Sequence, residues 1–160
     1  MATAVRARSA KAGASVKVRR VRASDVANVI ALDAHITKLA KPEYWTDVFK
    51  RYGKQRLSER FFLVAETPDK QLAGFIIGEV RAWEFGSTPC GWVFALSVEP
   101  EMRLHNVGNA MLEAISREFK KAGVSNMRTM VARDAALQLL FFRGEGMMAG
   151  PYIQLEKDID

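Results

Sequence analysis

A single cysteine, Cys90, among 160 residues excludes an intramolecular disulfide and leaves no multi-cysteine metal centre. Histidine is nearly as scarce: His35 and His105 are isolated and make a poor metal constellation, so no metal site is expected. No uninterrupted apolar run approaches membrane-spanning length, and residues 1–15 lack the apolar centre of a secretory signal. Internal repeats, coiled-coil heptads and low-complexity segments are absent too. These absences point to a soluble protein of the reducing cytoplasm, with no membrane partner. What is present, 49% hydrophobic and 26% charged residues, is ordinary globular composition at a length that suits one domain. We expect that domain over residues 16–160, after a basic disordered tail at residues 1–15 that is dominated by Ala, Ser and Gly.

A net charge of +6 suggests nucleic acid until its location is checked. Arg6, Arg8, Lys11, Lys17, Arg19, Arg20 and Arg22 fall within the first 22 residues without one acid, so the rest of the chain carries a net −1. Nucleic acid is therefore not the expected partner. A short basic arm could touch acidic partners, and an Arg-rich, acid-free start faintly resembles a transit peptide, but a solvated tail leading into a strand is the preferred reading.

Val16, Val18 and Val21 alternate as a first strand, and Ser24 and Asp25 then cap a helix carrying Val26, Val29, Ile30 and Ile36. A second helix starts near Pro42 and carries Tyr44, Trp45, Val48, Phe49 and Tyr52 before Gly53. Residues 61–66 and 72–83 read as two strands of an antiparallel hairpin around a Pro-Asp turn. On the longer strand Phe75, Ile77, Glu79, Arg81 and Trp83 share one face, with Gly74, Ile76, Gly78, Val80 and Ala82 on the other. After residue 123, residues 124–132 read as a strand, Asp134 as the cap of a helix running toward Gly144, and residues 152–157 as a last strand.

The chain is organised around residues 93–114, VFALSVEPEMRLHNVGNAMLEA. Residues 93–98 suit a buried strand, Pro100 ends it, and Val107, Ala110, Met111, Ala114 and Ile115 recur at helical spacing. Between strand and helix, Arg103, Leu104, His105, Asn106, Val107, Gly108 and Asn109 set a cation, one glycine and several backbone N–H groups at a helix N-terminus, where the dipole favours negative charge.

This stretch resembles the acyl-CoA loop of the GNAT superfamily of N-acetyltransferases, which reads Arg or Gln, two residues, Gly, one residue, then Gly or Ala. Here it reads R-L-H-N-V-G: Arg103 and Gly108 fit, and Asn106 stands in place of the first glycine. Asn adopts the left-handed conformation most readily among non-glycine residues, so the turn is expected to survive. A second landmark, a Tyr four residues before a Gly, corresponds to LLFFRGEGM and puts Phe142 in the tyrosine position. The resemblance implies an α+β fold, a mixed, mostly antiparallel sheet flanked by helices, with acetyl-CoA or another acyl-CoA as co-substrate. It also implies main-chain polarisation of the thioester at Leu96, Ser97 and Val98, and an acceptor cleft walled by the first two helices, where Tyr44 or Trp45 would touch substrate. Core packing is the preferred reading for those two aromatics.

Proton handling is where the family pattern fails. Phe142 has no hydroxyl, and the strand positions that carry a catalytic Glu in some relatives hold Trp92 and Met130. Glu79 is the remaining base candidate, on a strand face that could line the cleft; a carboxylate paired with Arg81 is the preferred alternative. Glu84 and Glu99 sit at strand ends. His105 suits phosphate contact or solvent exposure, and Cys90 reads as an ordinary small residue. The expected activity is transfer of an acyl group from CoA to the amine of a small molecule or protein. Its alternatives are an acyl-CoA-binding regulatory module and a nucleic-acid or protein-interaction domain using the basic arm. A homodimer is left open.

Overall fold

The computed structural model describes residues 15–55 and 57–159, so the expected tail, Ser15 apart, lies outside the described residues. Five strands, β1 (Lys17–Arg20), β2 (Arg60–Glu66), β3 (Leu72–Arg81), β4 (Cys90–Val98) and β5 (Met127–Arg128), form one sheet in that order. All pairs are antiparallel except β4 with β5. The helices are α1 (Val26–Thr37), α2 (Pro42–Val48), continued by a π-helical turn Phe49–Lys54, then α3 (Val107–Lys121) and α4 (Ala136–Gly144). The described residues separate into two compact units, dividing after Thr129.

In the first unit the period-2 alternation sorts the sheet's residues into two cores. Phe62 and Val64 of β2 and Phe75 and Ile77 of β3 are buried with Val29 and Leu32 of α1 and Trp45 and Val48 of α2. The other face takes α3, whose Met111, Ile115 and Phe119 are buried and approach Gly74, Gly78 and Gly91. A Cβ on Gly91 would lie 2.4 Å from the Phe119 ring, and one on Gly78 would lie 2.6 Å from the Trp92 carbonyl oxygen and 2.8 Å from Phe119. Hydrogen thus replaces a side chain so that an aromatic can lie flat on the strands. A staple closes the sheet's first edge: Arg19 donates from both Nη atoms to Asp25 at 2.8 and 2.9 Å and from Nη2 to Glu66 at 2.6 Å.

β3 and β4 fall out of step once. Ile77 faces Ala95 and Gly78 faces Val93, which leaves Phe94 unopposed as a β-bulge. β5 meets β4 only at Gly91 and Trp92.

Several sequence expectations are corrected. The strand expected over residues 124–132 is two residues long, because Thr129 Oγ1 donates to the Val93 carbonyl at 2.9 Å and a side chain takes over where a ladder bond would follow. The strand expected to reach Trp83 ends at Arg81; Trp83 and Phe85 are left-handed (φ 63° and 53°) and exposed, in a turn ordinary strand geometry cannot continue. In the second unit, Asp134 does not cap α4: the N-cap is Ala135, without a side-chain bond. Residues 152–157 carry no strand, and Ile153 and Leu155 are exposed. Phe142 is buried there, edge-on to Phe141 at 5.1 Å.

Candidate active site

The bulge fixes which way the polar groups of β4 point. Gly91 N–H donates to the Asn126 carbonyl on the β5 side, and the Val93 carbonyl accepts from Thr129 on that side too. Past Phe94 the phase is reversed, since Glu99 N–H donates to the Ala73 carbonyl beside β3. By alternation Ser97 and Ala95 then address β3, while Leu96 and Val98 direct their N–H groups to the opposite edge, beyond the two residues that β5 covers. Of the three residues expected to offer backbone donors, Leu96 and Val98 turn their N–H groups away from β3 and Ser97 turns its own to the ladder.

This edge runs through a single 3-10 turn, Pro100–Met102, into the expected anion loop. Leu104 and Asn106 are both left-handed, with φ of 67° and 61°. Asn106 therefore does take the glycine-like conformation, and Val107 follows it directly in the right-handed helix. A left-handed residue followed by a right-handed one turns successive N–H groups into one concavity, a nest for an anion. The N–H groups of Val107 and Gly108 lie in the first turn of a 15-residue helix, where the helix supplies no acceptor, and no acid occupies that turn. His105 Nδ1 lies 2.9 Å from the Arg103 carbonyl oxygen, tying the loop to itself, and Arg103 and Leu104 project into solvent. The loop thus gathers backbone N–H groups in one concavity, with the exposed Arg103 nearby in sequence.

Glu79 lies on the α1/α2 face, opposite Arg60 of β2 and Trp92 of β4. Its Oε2 accepts from the Tyr52 hydroxyl at 2.8 Å and its Oε1 from Arg81 Nε at 3.2 Å, with Arg60 Nε 4.0 Å from Oε2. The Arg81 pairing weighed as its alternative is present. Burial, then the Glu79 hydrogen bond, pushes the Tyr52 phenol above its ordinary range, so its hydroxyl stays protonated and donates. The Tyr52 ring packs edge-on to Phe94, the bulged residue, at 5.2 Å.

Elsewhere, Trp45 is buried, stacked edge-on with Phe75 at 5.0 Å, and donates from Nε1 to Asp33 at 2.8 Å; Tyr44 is half-exposed beside it. Cys90 is buried, Glu84 is exposed, and Glu99 lies 3.3 Å from His35. Trp92 is half-buried and Met130 exposed. Among the described residues no group of three His, Cys, Asp or Glu side chains could hold a metal ion, and no helix is long and apolar enough to cross a membrane. Sequence reasoning missed Arg60 and the role of Tyr52. Arg60 was detectable only by counting back from the hairpin turn to the residue facing Glu79, whereas no periodic pattern reveals Tyr52, which sits in a π-helical turn.

Comparison with solved structures yields relatives in fold. The aminoglycoside antibiotic 6'-N-acetyltransferase AAC(6')-Ih from Acinetobacter baumannii is 15% identical with a TM-score of 0.76 over 91% of this chain and 100% of that one. AAC(6')-Iy in complex with a bisubstrate analogue of CoA gives 0.78 at 13% identity, over 91% and 99%. The glucosamine-6-phosphate N-acetyltransferase from Arabidopsis thaliana gives 0.71 at 17%, again over 91% and 99%. No curated protein matches the sequence itself. A family model described as the acetyltransferase (GNAT) family, however, matches residues 30–141, and with the bulged strand, the open edge and the anion loop all inside that span, the chain belongs to the GNAT acetyltransferases.

Proposed function

We propose that this chain transfers an acetyl or similarly small acyl group from acyl-CoA to an amine, on a small molecule or a protein. The observation that carries the reading is the reversal of phase at Phe94, which turns the N–H groups of Leu96 and Val98 to an edge that no strand pairs among the described residues, on the stretch that leads into the Asn106–Gly108 nest. Backbone donors at such an edge stabilise the oxyanion formed when an amine attacks a thioester, and they do so without any particular side chain. Acyl-CoA supplies the activated acyl group. The nest, with Arg103, would hold its diphosphate, and Leu96 and Val98 would orient the carbonyl, so that rate comes mainly from positioning. The relatives in fold include enzymes named for aminoglycosides and for glucosamine 6-phosphate, which makes both compounds natural members of an acceptor panel.

Glu79 is the candidate proton acceptor on this reading, using a lone pair left over beside the Tyr52 and Arg81 bonds. A second role, as the carboxylate that holds Arg60 and Arg81 in place, is favoured because both of its oxygens are engaged. Glu79→Gln separates the two: a base is lost as a fall of about tenfold or more in turnover with an altered pH–rate profile and unchanged CoA affinity. A holder of arginines leaves the profile in place.

A catalytically silent acyl-CoA-binding module is the second reading, favoured by Phe142, which offers no hydroxyl at the family's tyrosine position. Thiol release from acetyl-CoA with a panel of amines, run beside calorimetry with CoA, decides between them. Turnover with one amine establishes transfer; CoA binding without thiol release from any amine establishes the module; a protein that binds no CoA contradicts both.

A further inference from the structure

Two guanidinium groups converge on one carboxylate beside the bulge, and their chemistry specifies more than a structural ion pair. Arg60 and Arg81 both turn Nε toward Glu79, at 4.0 and 3.2 Å. One negative charge therefore faces two positive ones, and Tyr52, which holds the other side of Glu79, is neutral. Arg51, which lies over the Tyr52 ring, is balanced separately by Asp47 at 2.9 Å. The guanidinium planes of Arg60 and Arg81 lie over aromatic rings, Arg60 5.3 Å from the Tyr52 centroid and Arg81 5.0 Å from that of Trp92. Their side chains keep 35% exposure each. Since Arg81 spends only Nε on Glu79, its two Nη atoms have no partner among the described residues. A guanidinium stacked on a ring and gripped through Nε is held with its Nη edge fixed in orientation, the edge that receives an oxyanion in a bidentate fork.

The place of this group matters. Arg60, Glu79 and Trp92 form one row across β2, β3 and β4, on the face where Phe94 stands 39% exposed. Trp92 precedes Leu96, one of the two outward backbone donors, by four residues, about 13 Å of strand before the bulge shortens it.

We propose that Arg81, with Arg60, recognises an oxyanion on the acceptor, so that the preferred amine carries a carboxylate or a phosphate roughly 10 Å from its nitrogen. This rests on the acetyl-transfer reading above. It makes Glu79 a positioning residue, and it predicts that polycationic amines such as aminoglycosides are poor acceptors: a surplus positive charge repels them.

Matched pairs test it on the full chain. Triglycine against triglycinamide differs only in the carboxylate, and glucosamine 6-phosphate against glucosamine only in the phosphate. Each is titrated by calorimetry into protein saturated with CoA and assayed for thiol release with acetyl-CoA. The member of at least one pair that carries the carboxylate or phosphate should bind tenfold or more tightly than the member without it, and which pair responds distinguishes carboxylate from phosphate. Arg81→Gln should erase that preference while leaving CoA affinity unchanged, whereas Arg81→Lys, which keeps the charge, should retain part of it. Equal binding within both pairs, or a preference that survives Arg81→Gln, overturns the proposal. So does tighter binding of an aminoglycoside than of either anionic compound. If the preference is present in binding but no amine releases thiol, the oxyanion site stands and the acetyl-transfer reading falls.

Discussion

At the scale of single residues, the anion loop turns on Asn106. A left-handed residue is needed before α3, and asparagine supplies it where glycine would be least strained. Asn106→Gly should preserve or improve CoA affinity, while Asn106→Val, β-branched and disfavoured there by roughly 1 to 2 kcal/mol, should weaken it several-fold. Arg103→Glu should weaken it as well, by setting a negative charge at the helix N-terminus. Calorimetry on the three variants decides, and unchanged affinity in all of them would place the diphosphate elsewhere. This part of the site was legible because one backbone conformation follows from one residue type. The Glu79 cluster was not, since its members come from residues 52, 60, 79 and 81 and meet only through strand register. The hairpin itself hides that register: an irregularity at Ala65 and Glu66 shifts Leu72 by one place, and an error of one residue moves Arg60 to the opposite face.

At the scale of elements, periodicity marked out the hairpin and α3, whose buried Val107, Met111, Ala114 and Ile115 repeat at helical spacing. It failed where side chains replace the ladder, as at Thr129, and where a short segment such as residues 152–157 has strand-like composition and no strand in the structure. The closeness of α3 to the sheet is a consequence of the glycines, and it is measurable. Gly78→Ala would set a methyl 2.6 Å from the Trp92 carbonyl oxygen, a backbone atom that can give way only by moving β4. A loss of about 1 to 3 kcal/mol in urea unfolding is expected. If instead the variant is as stable as the parent, the packing of β4 against β3 is looser than described.

At the scale of the whole molecule, acid should be the weak side. Burial pushes the Asp25 carboxyl up, but Arg19 and the Arg22 N–H outweigh it and hold it below its ordinary value of 3.8. Arg19, then Lys70, hold Glu66 below 4.5. A depressed carboxyl stabilises the fold fully above its unfolded value and loses that contribution as the pH falls through the folded one. Arg19 is shifted upward, chiefly by its hydrogen bonds to Asp25, and stays charged throughout. The melting temperature should therefore be flat from neutrality to about pH 5 and then decline. Arg19→Met should cost roughly 1 to 3 kcal/mol at neutral pH, between the values of exposed and buried pairs, and should flatten the acid decline. An acid profile identical to the parent's would remove the staple from the account. The bulge at Phe94 has a different kind of consequence, one of parity. One supernumerary residue separates the half of β4 that β5 pairs from the half beyond it, so the outward-facing residues are odd-numbered before it and even-numbered after it. Were Phe94 instead taken into the ladder opposite Ile77, every donor from Ala95 onward would turn by half a period, handing the outward N–H groups of Leu96 and Val98 to β3 and those of Ala95 and Ser97 to the open edge. Whatever chemistry this edge performs is written in the count of residues as much as in their identity.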